Sequence, residues 1–326
     1  MALPHRASWA AHFGPPRSLF VGLSDAAGRP RYCCGVDVEP LRSLPGHTVY
    51  RIQRFGYTLD RAAISAVLGA LTVHAKGDPT AVRLAVETFG AAGDCQVAAA
   101  DLGFQQSVAP RRYTRTLRLP LDGDREAIVE RLPRTARRNL RAAQKTKLEV
   151  RTIDEPTLTP RLATLERDAF TRTGGRPEDT DWPALLEYAR QHPRLVRVVG
   201  VFDPTDDSSE SLVGFATARA HGDHVEYAAG AIARRFGAKV SLGYPLVWSL
   251  VEWAHALGVS WFDFGGVTAT PSGDYDDPLR GISDFKRHFG GTEIEVGDEW
   301  VLNVAPVRSA VAEAIGRTAR AVRRLA

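Results

Sequence analysis

Residues 242–267 read LGYPLVWSLVEWAHALGVSWFDFGGV, and this stretch limits the possible folds more than any other part of the chain. Leu246, Val247, Leu250, Val251 and Ala254 recur at helical spacing, so 242–258 predicts a helix that turns one face inward. VSWFDFGGV then reads as a strand, dense in aromatic residues, that ends on two glycines. A buried helix running straight into a buried strand implies a helix layer packed on a sheet.

The remaining patterns extend that layer. Strands are predicted over 18–23, 32–38, 47–55, 81–87, 113–121, 147–153 and 195–202, with a long hairpin over 212–232 and a hairpin-like stretch over 292–304. A helix is predicted over 58–77, with Ile64, Val67, Leu68 and Leu71 on its apolar face and Gly77 at its end. Another short helix falls within 95–107, and two more cover 157–175 and 182–192. The segment 124–152 is helical at first, and Pro133 restarts the helix. The reading is an α/β (α+β) chain of mixed sheets flanked by helices. At 326 residues it should form two domains. The expected division is 1–145 and 146–326, the second domain ending in a basic helix. Its order of helix, helix, strand, strand, strand, helix, strand resembles the acyltransferase fold called GNAT.

Composition narrows the function classes. The formal charge of +4 is too small to identify a nucleic-acid binder, so local clustering is the better guide. Cys33, Cys34 and Cys95 provide neither a disulfide framework nor a metal-binding spacing, so reduced thiols and a cytoplasmic protein are expected. No run of apolar residues is long enough to span a membrane, and the N-terminus lacks the apolar core of a signal peptide. No metal site is expected.

Four stretches could carry chemistry. Arg134, Arg137, Arg138, Arg141 and Lys145 share a helix face, opposite an apolar line of Ile128, Leu132, Ala136, Leu140 and Ala143. Such a face is either solvated or a phosphate-contacting surface. The loop from Arg234 to Lys239 meets two of the three fixed positions of an acyl-CoA phosphate loop, Arg234 and Gly237, and fails the third. The loop after WFDFGGV carries Asp274, Tyr275, Asp276 and Asp277 without calcium-loop spacing. GISDFKRHFGG, 281–291, sets Lys286 between Phe285 and Phe289, which reads either as a surface turn or as a cation held over a pocket. No nucleophile motif is present, and His221, His224 and His255 read as structural or surface residues.

Three blocks together resemble the Fem-type aminoacyltransferases (FemX, FemA, FemB). RLPRTARRNLRAAQKTKLEVR resembles their basic helix. EYAAGAIARRFGAKVSLGYPLVWSLVEWAHALGVSWFDFGGV is similar to their tyrosine strand, helix and Y-D-F-G-G strand. GISDFKRHFGG is similar to their closing F-K-x-x-F-G. The blocks keep family order over about 115–300. The resemblance implies two GNAT-like domains without the coiled-coil arm of longer members. It also implies transfer of an amino acid from aminoacyl-tRNA to an amine, with the charged tRNA as co-substrate and no other cofactor. By the same resemblance Lys286 is the catalytic cation, and Glu87 stands where the family often has an acceptor-side Asp. Phe285, Tyr227, Gly265, Gly266, Tyr275 and Arg219 would bind substrate, and the face from Arg134 to Lys145 would bind tRNA. The N-terminal part departs from the family, with RFG at 54–56 in place of R-G-P and His12 in place of a lysine. The acceptor is therefore open between a peptidoglycan precursor and a small peptide or amine of a secondary-metabolite pathway. An acyl-CoA-dependent N-acyltransferase on the same fold is the alternative enzyme.

Overall fold

The computed structural model describes residues 1–15, 17–56, 59–90, 93–108, 111, 113–173, 180–233, 241–268 and 280–325, with the backbone alone at 173 and 319–325. The chain forms two compact units, one of Ala2–Arg112 with Glu295–Ala326, the other essentially Tyr113–Ile294.

The first unit contains α1 (Ala7–Phe13), β1 (Ser18–Ser24), β2 (Pro30–Pro40), β3 (Thr48–Phe55), α2 (Arg61–Gly77), β4 (Ala81–Thr88), α3 (Gly93–Asp101) and β5 (Gln105–Gln106). It is completed from the C-terminal end by β13 (Glu299–Asn303) and α10 (Pro306–Leu325). Its sheet runs β1-β2-β3-β4-β13-β5. Asp60 caps α2 by accepting from the Ala63 amide at 2.8 Å, one of the amides a helix start otherwise leaves unpaired. The α2 face predicted from spacing is the buried one. Ile64, Val67 and Leu68 are fully covered and pack with Tyr50, Ile52, Leu84 and Val86.

The second unit contains β6 (Arg115–Pro120), α4 (Arg125–Arg131), α5 (Arg134–Gln144), β7 (Glu149–Thr152), α6 (Thr159–Thr173) and α7 (Trp182–Gln191). It continues with β8 (Val196–Phe202), β9 (Leu212–Ala220), β10 (His224–Ile232), α8 (Gly243–Ala256), β11 (Trp261–Val267), α9 (Arg280–Arg287) and β12 (Thr292–Glu295). The sheet order is β12-β6-β11-β10-β9-β8-β7. Leu246, Val247, Leu250, Val251 and Ala254 of α8 are all buried, as their spacing predicts, in one core with Phe262, Phe264 and Phe289.

Several expectations are corrected. The units do not divide at 145/146. β6 pairs antiparallel with β11, and Leu117, Leu119, Ile128, Leu132 and Ala136 belong to the same core as α8, so 113–145 is part of the second unit. The stretch 292–304 is not a hairpin, because β12 joins the second unit's sheet while β13 pairs with β4 in the first. Of the two readings of Lys286 the surface turn does not hold, since the residue lies buried on α9. The strand pairings behind the first two corrections are non-local, so local sequence pattern does not reveal them. Pro133 sits at the N-cap of α5, one position before the helical turn it was expected to begin.

Candidate active site in the second unit

β10 and β11 run parallel, yet their pairing covers only His224–Glu226 against Trp261–Asp263. Past that point each strand carries an irregularity in its other ladder. Tyr227 and Ala229 of β10 face Ala218 and Thr217 of β9, and Asp263 and Gly266 of β11 face Arg118 and Thr116 of β6. Each is one extra residue, a bulge that bends the strand and ends regular pairing. The sheet therefore parts between Tyr227 and Phe264.

The β11 bulge follows from the Asp-Phe-Gly-Gly sequence. Asp263 is fully buried, and its Oδ1 accepts from the Gly265 amide at 2.7 Å and from the Thr116 hydroxyl. A side chain that bonds the backbone two residues on stabilises a tight turn. The turn places Gly265 at φ +73°, which a glycine adopts without steric cost. A Cβ on Gly265 would lie 3.3 Å from the Tyr227 carbonyl oxygen and 3.7 Å from Lys286 Nζ.

Lys286 reaches this opening from α9. It is 9% exposed, and its Nζ donates to the Gly266 carbonyl at 2.6 Å. Burial pushes the ammonium down to about 8, opposed by the charges of Asp263 and Glu226, which face each other in the β10–β11 register. At pH 7 the group is still about 90% protonated. Ser283 and Arg287 fix α9 to the strand end. The Thr268 amide donates to Ser283 Oγ at 3.0 Å, and Arg287 donates to the Thr268 carbonyl at 2.5 Å and to Glu293 at 2.8 Å.

Tyr227 lies near the lysine, and Phe285 anchors α9 against α8. Tyr227 has its ring centroid 6.0 Å from Nζ, and burial raises its hydroxyl to about 12, so it is a neutral phenol at pH 7. Phe285 packs edge-on to Tyr244 and Phe289 at 5.2 and 5.5 Å and lies against Gly243, where a Cβ would meet its ring at 2.9 Å. Phe289 follows Lys286 by three positions in the sequence. It is fully buried and serves the core, contributing about 1.5–3 kcal/mol by burial.

The structure thus gathers Lys286, Phe285, Tyr227, Gly265 and Gly266 in one place. Arg219 stands on β9 opposite Glu226, completing a row of charged residues, Arg118, Asp263, Glu226 and Arg219, across four strands. Tyr275, the other acidic-loop residues and the loop from Arg234 to Lys239 lie outside the described residues. The histidines have structural partners: His221 with Glu226 at 3.2 Å, His224 with Asp223 at 2.8 Å, and His255 with the Gly123 carbonyl at 2.9 Å.

Glu87 lies in the first unit, near the end of β4. It faces Arg51 at 3.6 Å and Arg111 at 3.8 Å, and Arg51 also binds Glu299 at 2.9 Å and Glu39 at 3.3 Å. On α5 and its C-cap the basic residues separate into two sets. Arg134, Arg138, Arg141 and Lys145 are exposed, whereas Arg137 is half-buried.

Asp263 and Glu226 were not picked out from sequence. A lone acid inside an otherwise apolar strand run, as in Trp-Phe-Asp-Phe, was the available signal, because a buried carboxylate needs donors or a cation beside it.

Residues 131–287 match the family model described as Acetyltransferase (GNAT) domain, a span that runs from the end of α4 to the end of α9 and includes Lys286. The structure is similar over nearly its whole length to the crystal structure of FemX, with a TM-score of 0.74 and 16% identity, covering 95% of this chain and 94% of that one. It has the Fem-type, GNAT-like fold. Two further structures are similar to the chain more distantly. One is the C-terminal domain of a putative lysylphosphatidylglycerol synthetase from Agrobacterium fabrum (TM-score 0.54, 13% identity, 91% and 87% covered). The other is a tandem GNAT protein from the clavulanic acid biosynthesis pathway (TM-score 0.50, 17% identity, 91% and 86% covered). Among curated protein sequences none matches the chain. Within the Fem-type fold the opening between β10 and β11 lies inside the matched acetyltransferase region.

Proposed function

We propose that this acyltransferase-fold protein moves an aminoacyl group from aminoacyl-tRNA to an amine, forming an amide bond. The observation that carries the reading is the buried, still-charged Lys286 set on the parted edge of β10 and β11. The acceptor nitrogen attacks the ester carbonyl, a C–N bond forms, and the oxyanion develops beside the Lys286 ammonium. The ester C–O bond then breaks, and the proton given up by the amine ends on the departing ribose oxygen. A preorganised cation stabilises charge that exists only in the transition state, and its low-dielectric surroundings strengthen the effect. Phe285 and Tyr227 keep water from the activated ester. No enzyme nucleophile is required.

The exposed stripe Arg134, Arg138, Arg141 and Lys145 is assigned to tRNA phosphates, since clustered cations on one helix face suit a polyanion. Glu87, by its match to the family's acceptor-side Asp, is assigned to the acceptor amine. The named structural neighbours include a domain of a putative lysylphosphatidylglycerol synthetase and a protein from clavulanic acid biosynthesis, so the fold by itself does not select the acceptor.

An acyl-CoA donor is the second reading, favoured by the acetyltransferase match over 131–287. Calorimetric titration with aminoacyl-tRNA and with acetyl-CoA separates the two. The proposal expects tight, salt-dependent binding of the charged tRNA. Tight acetyl-CoA binding with no affinity for tRNA would reverse the assignment.

A further inference from the structure

A cavity of the same unit lies apart from the Lys286 site and shares Arg141 with the exposed stripe. It is about 410 Å³, within the range of about 300–1,000 Å³ usual for small-molecule sites, and lies between α5 and α8 above β7 and β8. About half of its lining is aliphatic, chiefly Val129, Leu140, Leu148, Val150, Val201 and Leu242, and Gln144, Thr146 and Ser249 add neutral polar groups. Among the described residues the charged ones at the cavity are Arg125, Arg137, Arg141 and Glu252, three cations against one anion. Glu252 is already held by Arg125 at 2.6 Å. Arg137 is turned inward, and its Nε is buried with no hydrogen-bond partner among the described residues. A buried donor without an acceptor is costly, and an incoming anion would relieve that cost.

The geometry points to a binding site for a single-chain amphiphile, an alkyl chain in the aliphatic cleft with a carboxylate or phosphate head on Arg137. A nucleobase fits the lining less well. Single-stranded nucleic acid is held on open aromatic faces, and Trp248, the one aromatic residue among the described lining residues, is only 7% exposed. Leu242 and Pro245 line the cleft, while Gly243 between them packs on Phe285. The first turn of α8 therefore separates this cleft from the candidate active site, and a chain bound here would press on the helix that positions Phe285.

The test titrates the full chain by calorimetry, below micelle-forming concentrations, with laurate, dodecyl phosphate, dodecanol and inorganic phosphate. Laurate or dodecyl phosphate should bind with one-to-one stoichiometry, and whichever is tighter identifies the head group. Dodecanol should bind about tenfold more weakly or worse, the scale of one charge-assisted contact. Inorganic phosphate alone should give no saturable signal. Leu148→Trp fills the cleft and should abolish binding. Arg137→Met should reduce the anionic probes to the level of dodecanol while the chain retains its circular dichroism. Four results would overturn the proposal: no binding of either anionic probe, dodecanol equal to them, saturable binding of phosphate alone, or laurate affinity unchanged in both variants.

Discussion

Lys286→Met tests charge at nearly constant shape, and two of its consequences can be worked out from the structure. The first concerns rate. If the ammonium stabilises the oxyanion, its loss should lower single-turnover transfer on the order of a hundredfold, about 3 kcal/mol of barrier, with little change in donor affinity. The second concerns stability. Lys286 titrates near 8 when folded, against 10.5 for a free lysine, so between those values the unfolded chain binds more protons than the folded one. Wild-type stability must then rise with pH across this window. The contribution is fully present above about 10.5 and lost as pH falls through about 8. Its size is about 3 kcal/mol, from roughly 1.4 kcal/mol per pH unit. The methionine variant has no such dependence at this site. It forgoes the bond to the Gly266 carbonyl, a loss of about 1–3 kcal/mol, but it also escapes the cost of burying a charge. Near pH 7 the two proteins should therefore be close in stability, and by pH 10.5 the wild type should lead by about 3 kcal/mol more than at pH 7. Denaturant melts of both proteins at pH 7, 8.5, 9.5 and 10.5 measure the difference directly. Parallel stability curves across that range would refute the buried-ammonium reasoning, and wild-type transfer rates in the variant would remove Lys286 from the chemistry.

Other outcomes follow from the same geometry. Gly265→Ala forces a side chain into φ +73° beside the Tyr227 carbonyl and Lys286, so stability should fall by about 1–2 kcal/mol and the rate should fall further; a melt and a rate equal to wild type would contradict the bulge account. Arg134→Ala combined with Arg138→Ala should reduce the log–log salt slope of tRNA binding by about 1.5–2, read by filter binding, and an unchanged slope would move the tRNA surface elsewhere. Glu87→Gln should slow turnover while donor affinity stays near wild type, and full activity would take Glu87 out of the acceptor site.

The sequence showed the elements of this fold more readily than their pairings. The apolar spacing of α2 and α8 named their buried faces correctly, because a helix that buries one face must repeat its apolar residues at that period. The unit boundary was hidden because β6 pairs with β11, and β13 with β4, across long stretches of chain. The site was legible in part. The glycines after Phe264 and the lysine between two phenylalanines stood out by type. That α9 carries Lys286 as a helix, that Phe289 is core and that Arg137 turns inward while its neighbours stay exposed depend on tertiary packing. The role of Asp263 depends on a bulge that only the paired strands reveal.

The central claim is tRNA-dependent transfer, and one measurement tests it most directly. A total tRNA pool charged with radiolabelled amino acids is incubated with the protein and a panel of amine acceptors, with and without ribonuclease, and with acetyl-CoA as a competing donor. The account predicts label in an amide product that appears only with intact tRNA, is not displaced by acetyl-CoA and is lost with Lys286→Met. Transfer from acetyl-CoA that ignores ribonuclease, with no amide formed from charged tRNA, would contradict it.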